Sequence, residues 1–165
     1  MSATIATPPA PVFPPPISET NWLPRSELYK WLNDPNLVPG RDFLLVDLRR
    51  LDHEGGTIRG SVNIPLHMPG YSFQWGLGSI LQLAKAAGGK AVFYCGSSRG
   101  RGARAAGWLQ DYANQQAKEQ GKQEPEIKSY ALEGGIRGWA NAEPEYVKLI
   151  EGYDEQYWKN GGSCA

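Results

Sequence analysis

Seven consecutive residues, Cys95, Gly96, Ser97, Ser98, Arg99, Gly100 and Arg101, have the types and spacing to hold an anion over a nucleophile. A thiolate is the reactive form of cysteine. A free thiol titrates at about 8.5 and falls only near cations or a helix N-terminus. Between the two ends lie only small residues and one arginine, so the backbone is able to curl with its N–H groups inward, as a concave anion nest requires. Arg101 offers a planar fork that matches two oxygens of a tetrahedral oxyanion. A lone cysteine at the end of an apolar run is ordinarily a small buried hydrophobe. A packing cysteine, however, has no use for Gly96, Gly100, two serines and Arg99, Arg101 and Arg104 within the next nine positions. Anion chemistry uses all of them.

The elements that must position this loop follow from the pattern on either side. KAVFYC, residues 90–95, is an apolar run of strand length, and residues 102–121 carry Ala105, Trp108, Leu109 and Tyr112 at helical spacing. The loop is therefore expected between a strand and a helix whose positive end faces the anion. FLLVDL (43–48) predicts a strand buried on both faces, GSVNIP (60–65) a short strand stopped by Pro65, and IKSYAL (127–132) a last strand. Helices are expected over 26–32, 79–89 with a glycine stop, and 143–153. Strands alternating with helices give an α/β fold, a parallel sheet of about five strands with helices on both faces. Ligands of such sheets bind beyond the carboxyl ends of the strands. That edge is expected to collect Asp47, Cys95 and Glu133.

Asp47 and Glu133 are the possible proton donors. An aspartate closing a buried strand beside Arg49 and Arg50 is more often a structural ion pair, the reading favoured for Asp47. Glu133, just before Gly134 and Gly135, is either an acid at the sheet edge or the holder of a turn. His53 and His67 stand apart from any ligand cluster, so no metal is expected.

At 165 residues and 41% hydrophobic, the chain suits one compact domain. The expected division is a Pro-rich tail over 1–20, a folded domain over 21–156, and a flexible tail over 157–165. Six of the thirteen prolines fall within residues 6–16, where helix and sheet hydrogen bonding is barred. Two cysteines far apart, Cys95 and Cys164, make no disulfide framework and suit a reducing compartment. Seventeen basic residues balance seventeen acidic ones with no basic run beyond two, which argues against a nucleic-acid partner. No stretch has the length of a membrane span. The absence of positive charge before Arg25 argues against a secretory leader.

With the strand-ended VDLRR, the turn TIRGSVNIP, the cysteine loop and LEGGIRGW together, the chain from about Ser26 to Trp139 resembles a single-domain rhodanese-like protein. Its loop is similar to that of the M-phase inducer phosphatases and the eukaryotic arsenate reductases. There, cysteine and arginine flank five residues, a serine lies three positions after the cysteine, and a glycine follows the arginine. Cys95, Ser98, Arg101 and Gly102 match. The resemblance implies a cysteine-dependent phosphatase or arsenate reductase: Cys95 as nucleophile, Arg101 on the oxyanion, and Gly96, Ser97, Ser98, Arg99 and Gly100 lining the substrate. No bound cofactor is implied. Glutathione with glutaredoxin is the implied reductant if arsenate is the substrate. Otherwise the partner is a small oxyanion or a phosphorylated substrate, met in the cytoplasm or the nucleus. Persulfide transfer is the alternative enzyme reading, disfavoured because sulfurtransferases of the same fold have a loop one residue shorter. A non-catalytic rhodanese-like binding module is the third, and it predicts a lost nucleophile. Tyr94 stands where the family usually has histidine, Gly96 and Ser97 where bulkier residues are common, and Arg99 either supplies a compensating cation or points to solvent.

Overall fold

A computed structural model describes residues 13–66 and 72–162. Five strands form one parallel sheet: β1 (Trp22–Leu23), β2 (Leu44–Asp47), β4 (Val62–Asn63), β5 (Lys90–Tyr94) and β6 (Lys128–Leu132), in the order β1-β6-β5-β2-β4. The helices are α1 (Arg25–Asn33), α2 (Leu77–Ala86), α3 (Arg101–Glu119), α4 (Gly135–Ala140), α5 (Pro144–Val147) and α6 (Glu155–Lys159). Because successive strand residues face opposite sides, β2 and β5 each feed two cores. Leu44, Val46, Ala91 and Phe93 pack with α2 and α3, whereas Leu45, Val92 and Tyr94 pack with Leu28 and Leu32 of α1 and with Ile136 and Trp139 of α4. The parallel sheet covered on both faces is as expected. On α3, Ala105, Trp108 and Leu109 are buried and Tyr112 is partly so.

The C-terminal end departs from the sequence reading. The helix expected over 143–153 is only α5. The chain then turns, and β7 (Ile150–Glu151) pairs antiparallel with β3 (Thr57–Ile58), because Leu149 and Ile150 have an apolar slot to fill. Nor does residue 157 begin a flexible tail. Asp154 caps α6 by accepting from the Tyr157 amide at 3.1 Å, and the buried Trp158 donates its indole N–H to the Gly55 carbonyl at 2.8 Å. Two adjacent aromatics outweigh the entropy of ordering a short terminus.

At the other end, residues 13–20, expected within the tail, lie along α3. The Trp108 indole N–H donates to the Pro14 carbonyl at 2.9 Å, and Phe13 meets the same ring edge-on with centroids 6.4 Å apart. Pro16 packs over Gly107. The amides of Ile17 and Ser18 donate to the Asp111 carboxylate at 2.7 and 2.8 Å. Proline bars this segment from helix and sheet but leaves its carbonyls as acceptors. Deleting residues 1–19 removes bonds to a charged acceptor and uncovers Trp108. A loss of about 2 kcal/mol is expected, a fall in melting temperature of about 4–8 °C for a chain of this size. Calorimetry of the truncated chain measures it, and a fall below about 1 °C would give the strap no share in stability. Among the described residues no helix is long and apolar enough to cross a membrane.

Candidate active site

β5 carries the chain to the carboxyl edge of the sheet, and Cys95 is its next residue, 3% exposed on the α2/α3 side. The chain then reverses over Gly96–Gly100, and α3 starts at Arg101. Ser98 anchors the reversal. It is fully buried with φ of 61°, a left-handed conformation that a residue with a Cβ adopts at a cost. Its amide donates to the Cys95 Sγ at 3.2 Å, its hydroxyl accepts from the Cys95 amide at 3.4 Å, and its carbonyl accepts from the Ala103 amide at 3.0 Å. Gly102 is glycine because a Cβ there would stand 2.9 Å from that of Ser98.

The other wall is the start of α4. The carbonyls of Cys95 and Gly96 accept from the amides of Ile136 and Arg137 at 3.1 and 2.9 Å. Gly135, with φ of 57°, makes room, since a Cβ would lie 2.5 Å from both carbonyl oxygens. Both carbonyls thus have amide partners on α4. The amides of Gly96, Ser97 and Gly100 have no hydrogen-bond acceptor among the described residues. A loop with free donors, a buried sulfur and a helix N-terminus is equipped to receive an anion.

Arg101 is held by a residue the sequence did not single out. Its Nη1 donates to Asp52 Oδ1 at 2.9 Å, and its Nη2 donates to Oδ2, a two-pronged ion pair. The guanidinium holds the Asp52 carboxyl well below the usual carboxylate range. Asp52 sits in the 49–56 loop, whose root is fixed by Arg49. That buried guanidinium pairs with Asp47 at 2.7 Å and donates to the carbonyls of Glu54 and Gly56 at 2.7 and 2.6 Å. Forty-nine positions separate Asp52 from Arg101, so no local spacing marks the pair.

Asp47 is buried and fully engaged: Arg49 binds both its oxygens, the Thr57 hydroxyl donates at 3.0 Å, and His53 Nε2 lies 3.4 Å away. It pairs in register with Tyr94, and both face the layer opposite to Cys95. This geometry fits the structural ion pair and leaves Asp47 no path to the thiol. Tyr94 is locked there too. Its hydroxyl meets Ser61 Oγ at 2.6 Å and Thr57 Oγ1 at 2.9 Å and accepts from the Ile58 amide at 3.2 Å, and burial pushes its pKa up. Glu133 is exposed and lines a depression of about 300 Å³ with Arg25, Glu143 and Tyr146, a lining that shares no residue with the cysteine loop. Arg99 is exposed at the loop tip. His67 and Cys164 lie outside the described residues. Among the described residues no three His, Cys, Asp or Glu side chains gather as a metal site would require.

The rhodanese-like domain family model matches residues 24–142, the span that holds four of the five sheet strands, the loop and both its walls. The chain belongs to the rhodanese-like domain family. Solved structures with this rhodanese-like fold include an arsenic-antimony reductase from Leishmania major, 22% identical with a TM-score of 0.56. That match covers 73% of this chain and 77% of the other. Two structures of the yeast protein Ygr203w also align at 22% identity. One is described as a protein tyrosine phosphatase of the rhodanese family, with a TM-score of 0.62 over 86% of this chain and 99% of that one. The other, from Saccharomyces cerevisiae, is described as a homologue of single-domain rhodanese and of the Cdc25 phosphatase catalytic domain, with a TM-score of 0.60 over 84% and 91%. No curated protein sequence matches this rhodanese-like chain significantly.

Proposed function

We propose that this rhodanese-like protein is a cysteine-dependent enzyme acting on a tetrahedral oxyanion, as a phosphatase or an arsenate reductase, with Cys95 as nucleophile and Arg101 on the oxyanion. The observation that carries the reading is the five-residue loop, in which a buried Sγ accepts the Ser98 amide and α3 begins at Arg101. The similarity of the fold to a phosphatase and to an arsenic-antimony reductase supports it. For a phosphoester, the Cys95 thiolate forms an S–P bond as the P–O bond to the leaving group breaks. Water then attacks phosphorus, the S–P bond breaks, and phosphate leaves. For arsenate, the thiolate displaces a water-equivalent oxygen to form an S–As bond. An external thiol of the glutathione class supplies the second sulfur, two thiols become one disulfide, and As(V) leaves as As(III). Loop amides and the Arg101 fork hold the equatorial oxygens in either case. The binding-module reading predicted a lost nucleophile, and Cys95 is present.

Asp47 faces the other layer and Glu133 lines a separate depression. Among phosphoesters that placement favours an aryl phosphate over an alkyl phosphate, because a phenolate leaves with little protonation, while arsenate can carry its own proton to the departing oxygen. An unpaired catalytic thiol also suits the reducing cytoplasm. The purified protein should be assayed with p-nitrophenyl phosphate, with arsenate plus glutathione and glutaredoxin, and with thiosulfate plus cyanide. Turnover in one or both of the first two is expected. Robust sulfur transfer to cyanide with neither oxyanion turned over would replace this reading with the sulfurtransferase one.

A further inference from the structure

The two-pronged contact between Arg101 and Asp52 presents the arginine with the geometry its substrate would offer. A carboxylate gives two coplanar oxygens and one negative charge, and a phosphate or arsenate dianion gives two oxygens from a tetrahedron and a larger charge. The pair is partly shielded, with Arg101 20% and Asp52 12% exposed at the side chain, and it lies at the edge of the cysteine loop rather than in either core. Its two halves come from segments anchored independently. Arg101 opens α3, and the 49–56 loop is pinned at its root by Arg49 on Asp47, Glu54 and Gly56. The loop is also braced from within, since the Arg50 amide donates to Asp52 Oδ1 at 2.9 Å and Arg49 Nη1 donates to the Asp52 carbonyl at 3.4 Å. Leu51, next to Asp52, is nevertheless 94% exposed, so its side chain packs on little. The contact can therefore open without disturbing the sheet.

The geometry points to Asp52 as an internal stand-in anion, a positioning residue that occupies the Arg101 fork until a substrate dianion displaces it, and so sets which oxyanions the site accepts. This rests on the proposed role of Arg101 at the substrate. A ligand binds only the fraction of molecules whose fork is open, so its apparent affinity is reduced by that fraction. The same competition filters ligands. A dianion with two adjacent oxygens replaces the carboxylate with a stronger contact, while a monoanion replaces it with an equal or weaker one.

The test is the steady-state kinetics of full-length Asp52→Asn, Asp52→Ser and Asp52→Glu, with inorganic phosphate as the competing anion. Removing the carboxylate is expected to lower KM for the accepted oxyanion about tenfold and the inhibition constant of phosphate in parallel, with kcat within about threefold of wild type. Asp52→Glu, which keeps a carboxylate, should restore KM to near the wild-type value. A KM unchanged or raised in both Asp52→Asn and Asp52→Ser overturns the inference, because Asp52 would then be neutral or would hold Arg101 ready for substrate. Failure of both to fold overturns it as well, since a displaceable contact cannot be essential to the fold. A wild type that turns over no oxyanion is a different failure and sinks the proposed function itself.

Discussion

Cys95→Ser is expected to lower turnover of whichever oxyanion the wild type accepts by at least about a thousandfold, while the melting temperature moves by about 2 °C or less. Serine is smaller than cysteine by the difference of one oxygen and one sulfur, and its hydroxyl can accept the Ser98 amide that now reaches Sγ at 3.2 Å. The local hydrogen bonds that keep Ser98 at φ of 61° therefore have a partner in the variant. Chemistry is another matter. A serine hydroxyl is a usable nucleophile only when a neighbouring base removes its proton. His53 Nε2 sits 3.4 Å from Asp47, and Asp47 itself is saturated by Arg49 and Thr57. Among the described residues no basic side chain hydrogen-bonds the Cys95 sulfur, so none is in place to take the Oγ proton. Initial rates in the responsive assay and a thermal melt of the same preparation measure both parts. A serine variant that keeps a tenth of the activity would place the bond-making elsewhere.

Much of the sheet was legible because its residues obey one period. FLLV (43–46) and AVFYC (91–95) are apolar without interruption, the pattern of a strand covered on both faces. Their side chains do divide between the two cores, residue by residue. The elements that were not legible are short and are fixed from a distance. β1 has two residues and exists because Trp22 and Leu23 pair with Ala131 and Leu132. β3 and β7 likewise stabilise one another across more than ninety positions. The Pro-rich strap misled for a related reason. Proline content does rule out helix and sheet, but it says nothing against a docked extended segment whose carbonyls and few amides find Trp108 and Asp111.

The loop was legible because its parts are contiguous. Cysteine, serine, arginine and the following glycine stand within eight residues, and each has a local reason for its spacing, such as the contact between Gly102 and Ser98. The surroundings were not. That Asp47 points away from the thiol follows from its register with Tyr94, a relation between two strands that neither strand announces alone. Asp52 had a weak signal: an acid in the charged stretch after VDLRR, on the loop that leaves the strand next to β5. Any ligand edge that gathers loops from adjacent parallel strands brings such a residue near the helix that follows its neighbour. The sequence offered several acids there, Asp52 and Glu54 among them, and only the fold chooses one.

Arg101→Lys keeps the charge and discards the fork, and a loss of about a hundredfold in kcat/KM is expected, the scale of removing one oxyanion donor. The ammonium is a point charge on a flexible stem and cannot span two oxygens in one plane. The penalty should fall on kcat as well as KM, because the three equatorial oxygens flatten towards one plane in the transition state, where a planar fork fits them best. The fold should tolerate the change, since lysine at the first position of α3 can still reach Asp52 with one hydrogen bond. A loss under about threefold would assign the anion to the backbone amides of the loop alone. The two substitutions also test each other. Asp52→Asn is expected to lower KM only by freeing a bidentate arginine, so in the Arg101→Lys background the same change should lower KM far less than about tenfold. Equal gains in both backgrounds would mean that the two residues act independently, as sites without a shared contact do.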